Sequence, residues 1–509
     1  MAKLFFTLFF AVVLFRLSAN TVTGCVFYDE NHNGAYDLGD VAIMNVPVSN
    51  GHELVLTDSN GFFSIEVQAR SFVFVVKNDD FIFPVDENYL PRFYYAHFPE
   101  GSPSDLEYPG FNLTGTLTDT LWFPVLHAPK NNVVKALVLG DPQMADSTRL
   151  SFFRRGIVNK LVMEQADFYL TLGDIADDYL DILPRERKLM AKLAIPGYRV
   201  VGNHDLNYKA ENNEYAAESF RAVYGPDNFS FNYPGQHFIL LNNVNYHGWN
   251  SDQKSRGSYF GGLSEKQLQW IKSDLEQVDP ERNIVIVSHI PFMAKYCREG
   301  TIDSLVQLLE DFDQVLMLSG HLHAIQNHRI ERNNHPDIEG LVAGATCGAW
   351  WTGPYNENGL PYATCMDGSP LGYYRFSFAV TGNKKAFVPV HYPENFQARL
   401  NVIPIEGTGK YDLIVNWFDG FPGDSLFLKV DEQELVPLHN FKGASPFIRQ
   451  TLHLRSNIDD WTPGIAVSDH LWKTDKALEL EGENTLLRLY TSRNNASLIS
   501  VQIEEIPDL

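Results

Sequence analysis

The sequence predicts a multidomain protein, with a central α/β domain flanked by an N-terminal all-β sandwich and a β-rich C-terminal domain. Three observations carry this. The chain has 509 residues, more than one hydrophobic core serves, so about two to four domains are expected. From Val133 to Arg329, apolar strand-like runs alternate with helix-like periodic stretches, the rhythm of a layered α/β domain. On either side the texture is short apolar or alternating runs broken by Gly, Asn and Asp turns. The expected division is 1–19, 20–128, 129–335 and 336–509.

Composition narrows the function. Hydrophobic content of 44% with 13% aromatics fits packed domains and excludes a disordered chain. The formal charge of −23 disfavours nucleic acid or an anionic membrane surface as partner, because phosphate backbones require a basic footprint. Cations held in a cleft would still create a local positive site.

Residues 1–19 read as an export signal. Lys3 supplies the positive start, Leu4 to Phe15 the apolar run, and Ala19 a small residue before the cut. That run is too short for a membrane span, and no later stretch approaches about 18 uninterrupted apolar residues. The expectation is an exported protein, periplasmic or secreted, with no transmembrane segment. Its four cysteines are Cys25, Cys297, Cys347 and Cys365. Cys347 and Cys365 bracket one loop and are the expected disulfide pair.

In the N-terminal domain, Val22 to Tyr28 and Phe62 to Val67 read as strands. Between them, Asp29, Asn31, Asn33, Asp37 and Asp40, with Gly34, match the spacing of a calcium loop. The last position is Asp instead of a bidentate Glu, and the flanks are strand-like. A structural calcium ion and an Asx-rich turn are the two readings.

The central domain carries the chemistry. Val133 to Leu139 ends in Gly140-Asp141-Pro142-Gln143, and Asp146-Ser147 then caps a helix. Phe168 to Leu172 ends in Gly173-Asp174, and a helix through Leu189 and Leu193 follows. Arg199-Val200-Val201 runs into Gly202-Asn203-His204-Asp205. His237 to Leu241 is another strand, and Ser264 opens a helix to Val278. Asn283 to Val287 delivers Ser288-His289; a helix spans 303–311; Val315 to Leu318 delivers Ser319-Gly320-His321-Leu322-His323. A lone histidine is usually packed and a lone aspartate usually caps a turn. Five successive apolar strands that each end in such donors point to ligands at the sheet's C-terminal edge. Asn203 is a neutral metal donor, His204 a proton donor, and Asp205 a residue placed to orient His204.

On these residues the stretch from Val133 to Arg329 resembles the calcineurin-like metallophosphoesterases. The resemblance implies a four-layer αββα sandwich and two divalent ions about 3.5–4 Å apart. It implies Asp141, Gln143, Asp174 and His323 around one ion and Asp174, Asn203, His289 and His321 around the other, with His204 off the metals. A hydroxide between the ions would attack a phosphate mono- or diester while His204 protonates the leaving oxygen. Two positions depart from the pattern. Gln143 stands where histidine is usual; its amide oxygen is a weaker, harder donor that favours manganese or magnesium over zinc, with divalent iron also among the candidate ions. Position 177 is Asp, which removes the tyrosinate that holds ferric iron in purple acid phosphatases of this family.

Beyond the histidines, Trp350-Trp351-Thr352-Gly353 and Asp367-Gly368-Ser369-Pro370 resemble the C-terminal module of exported bacterial members. The two indoles fit either a wall over the metal cleft, suited to organic phosphodiesters or lipid head groups, or a plain aromatic core. Tyr208, Tyr246, His247 and His328 are lesser pocket candidates. The rival reading is a binding or surface-associated protein with a vestigial metal site, against which stands the near-complete donor set.

Overall fold

Near-continuous aliphatic runs build the centre of the protein, as strands buried on both faces require. The computed structural model describes residues 20–431, 434–454, 464–480, 485–491 and 497–503; the stretch read as an export signal, 1–19, lies outside the described residues.

In the central domain, β1 (Val133–Leu139), β2 (Phe168–Thr171) and β3 (Gly197–Arg199) pair in parallel. Helices α1 (Ser147–Phe153) and α2 (Leu183–Met190) connect them, and α3 (Glu218–Tyr224) follows β3. A second sheet holds β4 (Phe229–Tyr233), β5 (Gln236–Leu241), β6 (Asn283–Ser288), β7 (Val315–Ser319), β8 (Gln326–Ile330) and β9 (Ile338–Val342). Its order is β4-β5-β6-β7-β9-β8, with β5, β6, β7 and β9 parallel. Helices α4 (Glu265–Leu275) and α5 (Thr301–Leu308) cover it. The Asp146 carboxylate caps α1 by accepting the Arg149 N–H at 2.8 Å, and Ser264 with Gln267 forms a capping box at α4.

The two sheets pack face to face through aromatic rings. Phe168 stacks on Tyr233 at 4.7 Å, Tyr198 on Phe231 at 4.1 Å, and Phe238 meets Phe378 edge-on at 5.1 Å. The outer face of the first sheet buries Leu137, Leu139 and Tyr169 against Phe153, Ile157 and Leu183. The layers therefore run helix, sheet, sheet, helix, as expected.

One boundary from the sequence falls inside a sheet. The strands β10 (Gly372–Ala379) and β11 (Lys384–Pro389) complete the first sheet, in the order β3-β2-β1-β10-β11. A division at 335/336 also cuts off β9. The reason is topological: the chain returns to pair β10 antiparallel with β1 after leaving the histidine loop, and no local signal announces a long-range return.

The N-terminal domain is all β, with one sheet around the parallel pair Asn20–Tyr28 and Thr120–His127 and a four-stranded sheet around Ser71–Val75. Trp270 of α4 ties it down, donating to Ser49 Oγ at 3.1 Å. In the loop offered for calcium, Asp29 accepts the N–H groups of Asn33 (3.0 Å) and Gly34 (2.8 Å), and Asp40 those of Glu30 (3.0 Å) and Asp37 (2.9 Å). Asp37 accepts the side-chain amides of Asn31 and Asn33, so the loop has the hydrogen bonding of an Asx-rich turn. C-terminally, a seven-stranded sheet runs from Ala398–Ile405 to Ser497–Ile503.

Phe168 is fully buried and touches four aromatic rings. Phe168→Ala is expected to cost about 3–5 kcal/mol, read as a lower urea midpoint of the transition that reports the central domain.

Candidate metal centre

The five donor-bearing turns all leave C-terminal strand ends: after β1, β2 and β3 in one sheet, and after β6 and β7 in the other. Holding side chains inward there forces the backbone into the left-handed region. Asp141 (φ 38°), Gln143 (32°), Asp174 (49°), His321 (76°) and His323 (50°) all have positive φ without being glycine. Such conformations each cost on the order of 1–3 kcal/mol and survive where the surroundings dictate them. The turns also pack too tightly for a side chain at their glycines. A Cβ on Gly202 would lie 2.0 Å from the Asp174 backbone nitrogen.

The donors converge. Among the described residues, Asp174, His289 and His321 form the one group of His, Cys, Asp or Glu donors spaced to hold a metal, their ligand atoms within 4.8 Å of one another. His289 Nε2 lies 3.2 Å from Asp174 Oδ2, 3.0 Å from Asn203 Oδ1 and 3.2 Å from His321 Nδ1. Gln143 Nε2 donates to Asp174 Oδ2 at 3.1 Å; the reversed amide would offer Oε1 to the same point. Asp141 accepts the His321 N–H at 2.9 and 3.0 Å. His323 Nδ1 sits 2.6 Å from Gly348 O and His289 Nδ1 2.8 Å from Leu172 O. Those carbonyls fix the tautomers and leave Nε2 with the lone pair.

This set fits a cation on physical grounds. With Nδ1–H given to Leu172, neutral His289 turns a lone pair toward an amide oxygen, a carboxylate and another imidazole. Acceptors facing acceptors repel unless a proton or a metal ion sits between them. In the ion-free protein a proton takes that place. Burial works against a charged His289, but Asp174 outweighs it and raises its pKa to about 9. Burial likewise opposes ionisation of Asp174, yet the His289 charge and hydrogen bond hold it well below the ordinary carboxylate range. Burial lowers His321 to about 3 and His323 to about 4, keeping both neutral, and raises Asp141 to about 7.

His204 lies at the rim. Its Nδ1 is 2.6 Å from Asp178 Oδ1 and 3.5 Å from Asp177 Oδ1. Burial disfavours its charge, but the Asp178 hydrogen bond and the charges of Asp174, Asp178 and Asp177 raise it to about 9. Asp205 does not orient it. Fully buried, Asp205 accepts the N–H of Ala176 (2.8 Å) and Gly202 (2.9 Å), so it ties the turn after β3 to the turn after β2. Asp178 does the orienting, and Arg256 steadies it through a 3.0 Å hydrogen bond.

Around the cleft, Tyr259 and Tyr296 each present a ring edge-on to His321 at 6.1 Å. Of the paired tryptophans, Trp350 stacks on His323 at 4.3 Å, whereas Trp351 is buried against Phe152 and Phe153 and donates to Pro142 O. One indole is wall and the other core. Tyr208 and Tyr246 are supports: the Tyr208 hydroxyl donates to Asn203 O, and that of Tyr246 to Tyr208 O. His247 is exposed and bonded to Ser258, and His328 is half-buried on β8.

The expected Cys347–Cys365 disulfide is absent; both thiols are free and buried. They bracket a loop, and each thiol has its own contacts. Cys347 Sγ lies 3.7 Å from Gln143 Oε1, while Cys365 Sγ lies 3.6 Å from Ala345 O.

Comparison with known proteins agrees with this architecture. The calcineurin-like phosphoesterase model matches residues 134–324, and the models for the N-terminal and C-terminal parts of calcineurin-like phosphoesterases match 30–115 and 341–488. The chain belongs to the calcineurin-like phosphoesterases, with both companion domains. Purple acid phosphatase 15 of Arabidopsis thaliana is 25% identical over 49% of this chain and 46% of its own length. A probable glycerophosphodiester phosphodiesterase of Arcobacter nitrofigilis is 27% identical over 31% of this chain and 57% of its own. The match thus spans about half the length of these relatives. A dimetal phosphatase structure from Danio rerio is 15% identical, covers 50% of this chain and 99% of its own, and gives a TM-score of 0.35.

Binding a cation must displace the His289 proton. With the folded pKa raised to about 9 from the ordinary value of about 6.5, that proton stabilises the ion-free fold fully below about 6.5, and its contribution is lost as pH rises through about 9. Apparent affinity for manganese is therefore expected to rise from pH 6.5 to 9 and then level, with proton release at neutral pH. Equilibrium dialysis across that range checks it.

Proposed function

We propose that this chain hydrolyses phosphate monoesters or diesters with a pair of divalent cations, and that the protein is exported. The observation that carries the reading is the meeting of five donor side chains, Gln143, Asp174, Asn203, His289 and His321, each from a different strand end. Asp141, Gln143, Asp174 and His323 would hold one ion; Asp174, Asn203, His289 and His321 would hold the other. When bound, such a pair supplies Lewis acidity toward phosphoryl oxygens and water acidic enough to act as nucleophile at neutral pH.

The chain's own residues do the rest. Two buried carboxylates against two divalent cations leave a net positive cleft within an acidic protein, which draws in a phosphate. His204, bonded to Asp178 through Nδ1 and held protonated by the carboxylates around it, carries a proton at Nε2 for the departing oxygen. Tyr259, Tyr296 and Trp350 wall the cleft with rings, supporting an ester whose organic group is apolar or planar. A phosphodiester or a lipid head group fits that wall, and the name of the Arcobacter relative is in keeping with a diester. The amide of Gln143 favours manganese or magnesium. Export rests on the pattern of residues 1–19; secreted protein beginning at Asn20 would support it.

The rival, a binding protein with a decayed site, is separated by assaying nitrophenyl phosphate and bis-nitrophenyl phosphate with added manganese. Turnover is expected; no turnover, with no metal in the purified protein, favours the rival. Asp174→Asn is expected to abolish turnover with the fold retained, and near-wild-type activity in that variant overturns the shared-ligand assignment. His204→Ala is expected to lower the rate by about 10²–10⁴-fold with metal content unchanged; loss of metal would make His204 a ligand instead.

A further inference from the structure

We propose that the C-terminal β-domain is a working part of the metal centre: Asp367, held by His470, is the positioning residue for the loop that carries His321 and His323. The proposal rests on the two-ion reading of the site.

The loop after β7 needs holding. Both of its histidines have positive φ, a conformation that relaxes unless neighbours impose it. Its backbone is gripped from one side by a single segment of the chain. The Met366 N–H donates to His323 O at 2.9 Å. The Ile325 N–H donates to Asp367 Oδ2 at 2.9 Å. These two bonds fall on His323 itself and two residues beyond it, where a change of backbone torsion would swing the imidazole.

Asp367 is built in as a fixed point. It is 0% exposed, and a carboxylate there is tolerated only when its oxygens are well supplied with donors. Oδ1 accepts the Ser369 N–H at 3.0 Å and the Ser369 hydroxyl at 2.7 Å. Oδ2 accepts Ile325 and, at 3.0 Å, Nε2 of His470, which is equally buried. Burial opposes the charge of Asp367, but His470 and Ser369 together hold it below the ordinary carboxylate range.

The donors come from the far domain. His470 lies on the strand Ser468–Thr474 of the seven-stranded sheet, and Asn416 on the neighbouring strand Lys410–Trp417 donates to Asp367 O at 2.8 Å. The approach is close enough to demand glycine: Gly368 has φ +88°, and a Cβ there would lie 2.5 Å from Ser445 Oγ. Two strands of a domain with no donor in the cleft thus converge on one residue, His470 on the Asp367 carboxylate and Asn416 on its carbonyl, and that carboxylate acts on the ligand loop. An adhesive contact between domains would satisfy a helix or a sheet face. This one is spent on the backbone beside a metal-binding histidine.

The test uses the full chain as wild type, Asp367→Asn, His470→Ala and His470→Gln, the last keeping an N–H donor. Manganese binding is measured by equilibrium dialysis with metal analysis, alongside thermal unfolding and kcat and KM on bis-nitrophenyl phosphate. Wild type is expected to take up two ions per chain. Asp367→Asn and His470→Ala should each weaken binding of one ion by about 10–100-fold and lower kcat with little change in KM, and His470→Gln should recover most of both. Unchanged manganese affinity and kcat in Asp367→Asn and His470→Ala, with only the melting temperature lowered, would reduce the pair to domain glue and overturn the proposal. If Asp367→Asn fails to fold, the His470 pair decides by the same criterion. Wild type that binds no manganese would overturn the two-ion reading itself, an outcome distinct from a failure confined to the variants.

Discussion

The centre is organised around one electrostatic problem: oxygen and nitrogen lone pairs of buried Asp174, Asn203 and His289 and of half-buried His321 are pressed together. Left to itself such a cluster repels. It is kept together by strained turns at the strand ends, by glycines that let those turns approach, and by carbonyls of Leu172 and Gly348 that lock the imidazoles. The fold invests its rigidity where the repulsion is greatest, and a positive charge releases it. In the ion-free molecule the proton on His289 gives partial relief; a divalent cation gives more.

Much of this was legible in the sequence because the pattern is repeated. Apolar runs at Val133, Phe168, Asn283 and Val315 each announce a strand, and each is followed at once by a donor. Period and punctuation are local properties, so the layered centre and the donor-bearing turns at its strand ends can be read from the chain. Asp205 shows where local reading stops. Adjacent to His204 in sequence, it turns its carboxylate into the backbone of another turn, because a residue's direction is set by the turn and not by its neighbour's chemistry. Asp178 takes the role instead; the doublet Asp177-Asp178 was the available signal, and nothing in it says which member faces the imidazole.

The remaining gaps are non-local in the same sense. Arg256 sits on a short hairpin without a motif, and Tyr259 and Tyr296 flank His321 from segments whose patterns are unremarkable. The return of Gly372–Ala379 to the edge of β1 depends on pairing across more than two hundred residues. Cys347 and Cys365 look like partners when only loop length is considered, yet disulfide formation depends on which way two side chains point. The calcium-like spacing of Asp29 to Asp40 is ambiguous for a related reason: oxygens at suitable intervals can serve backbone N–H groups as readily as an ion.

The donors are shared between two sheets, three turns from one and two from the other, and the spacer between those sheets is a seam of stacked rings from Phe168, Tyr198, Phe231, Tyr233 and Phe238. The gauge of the ion cradle is therefore set at a distance, by the thickness of that seam. A change of ring volume in that seam would therefore reach the turns without touching any side chain at the site.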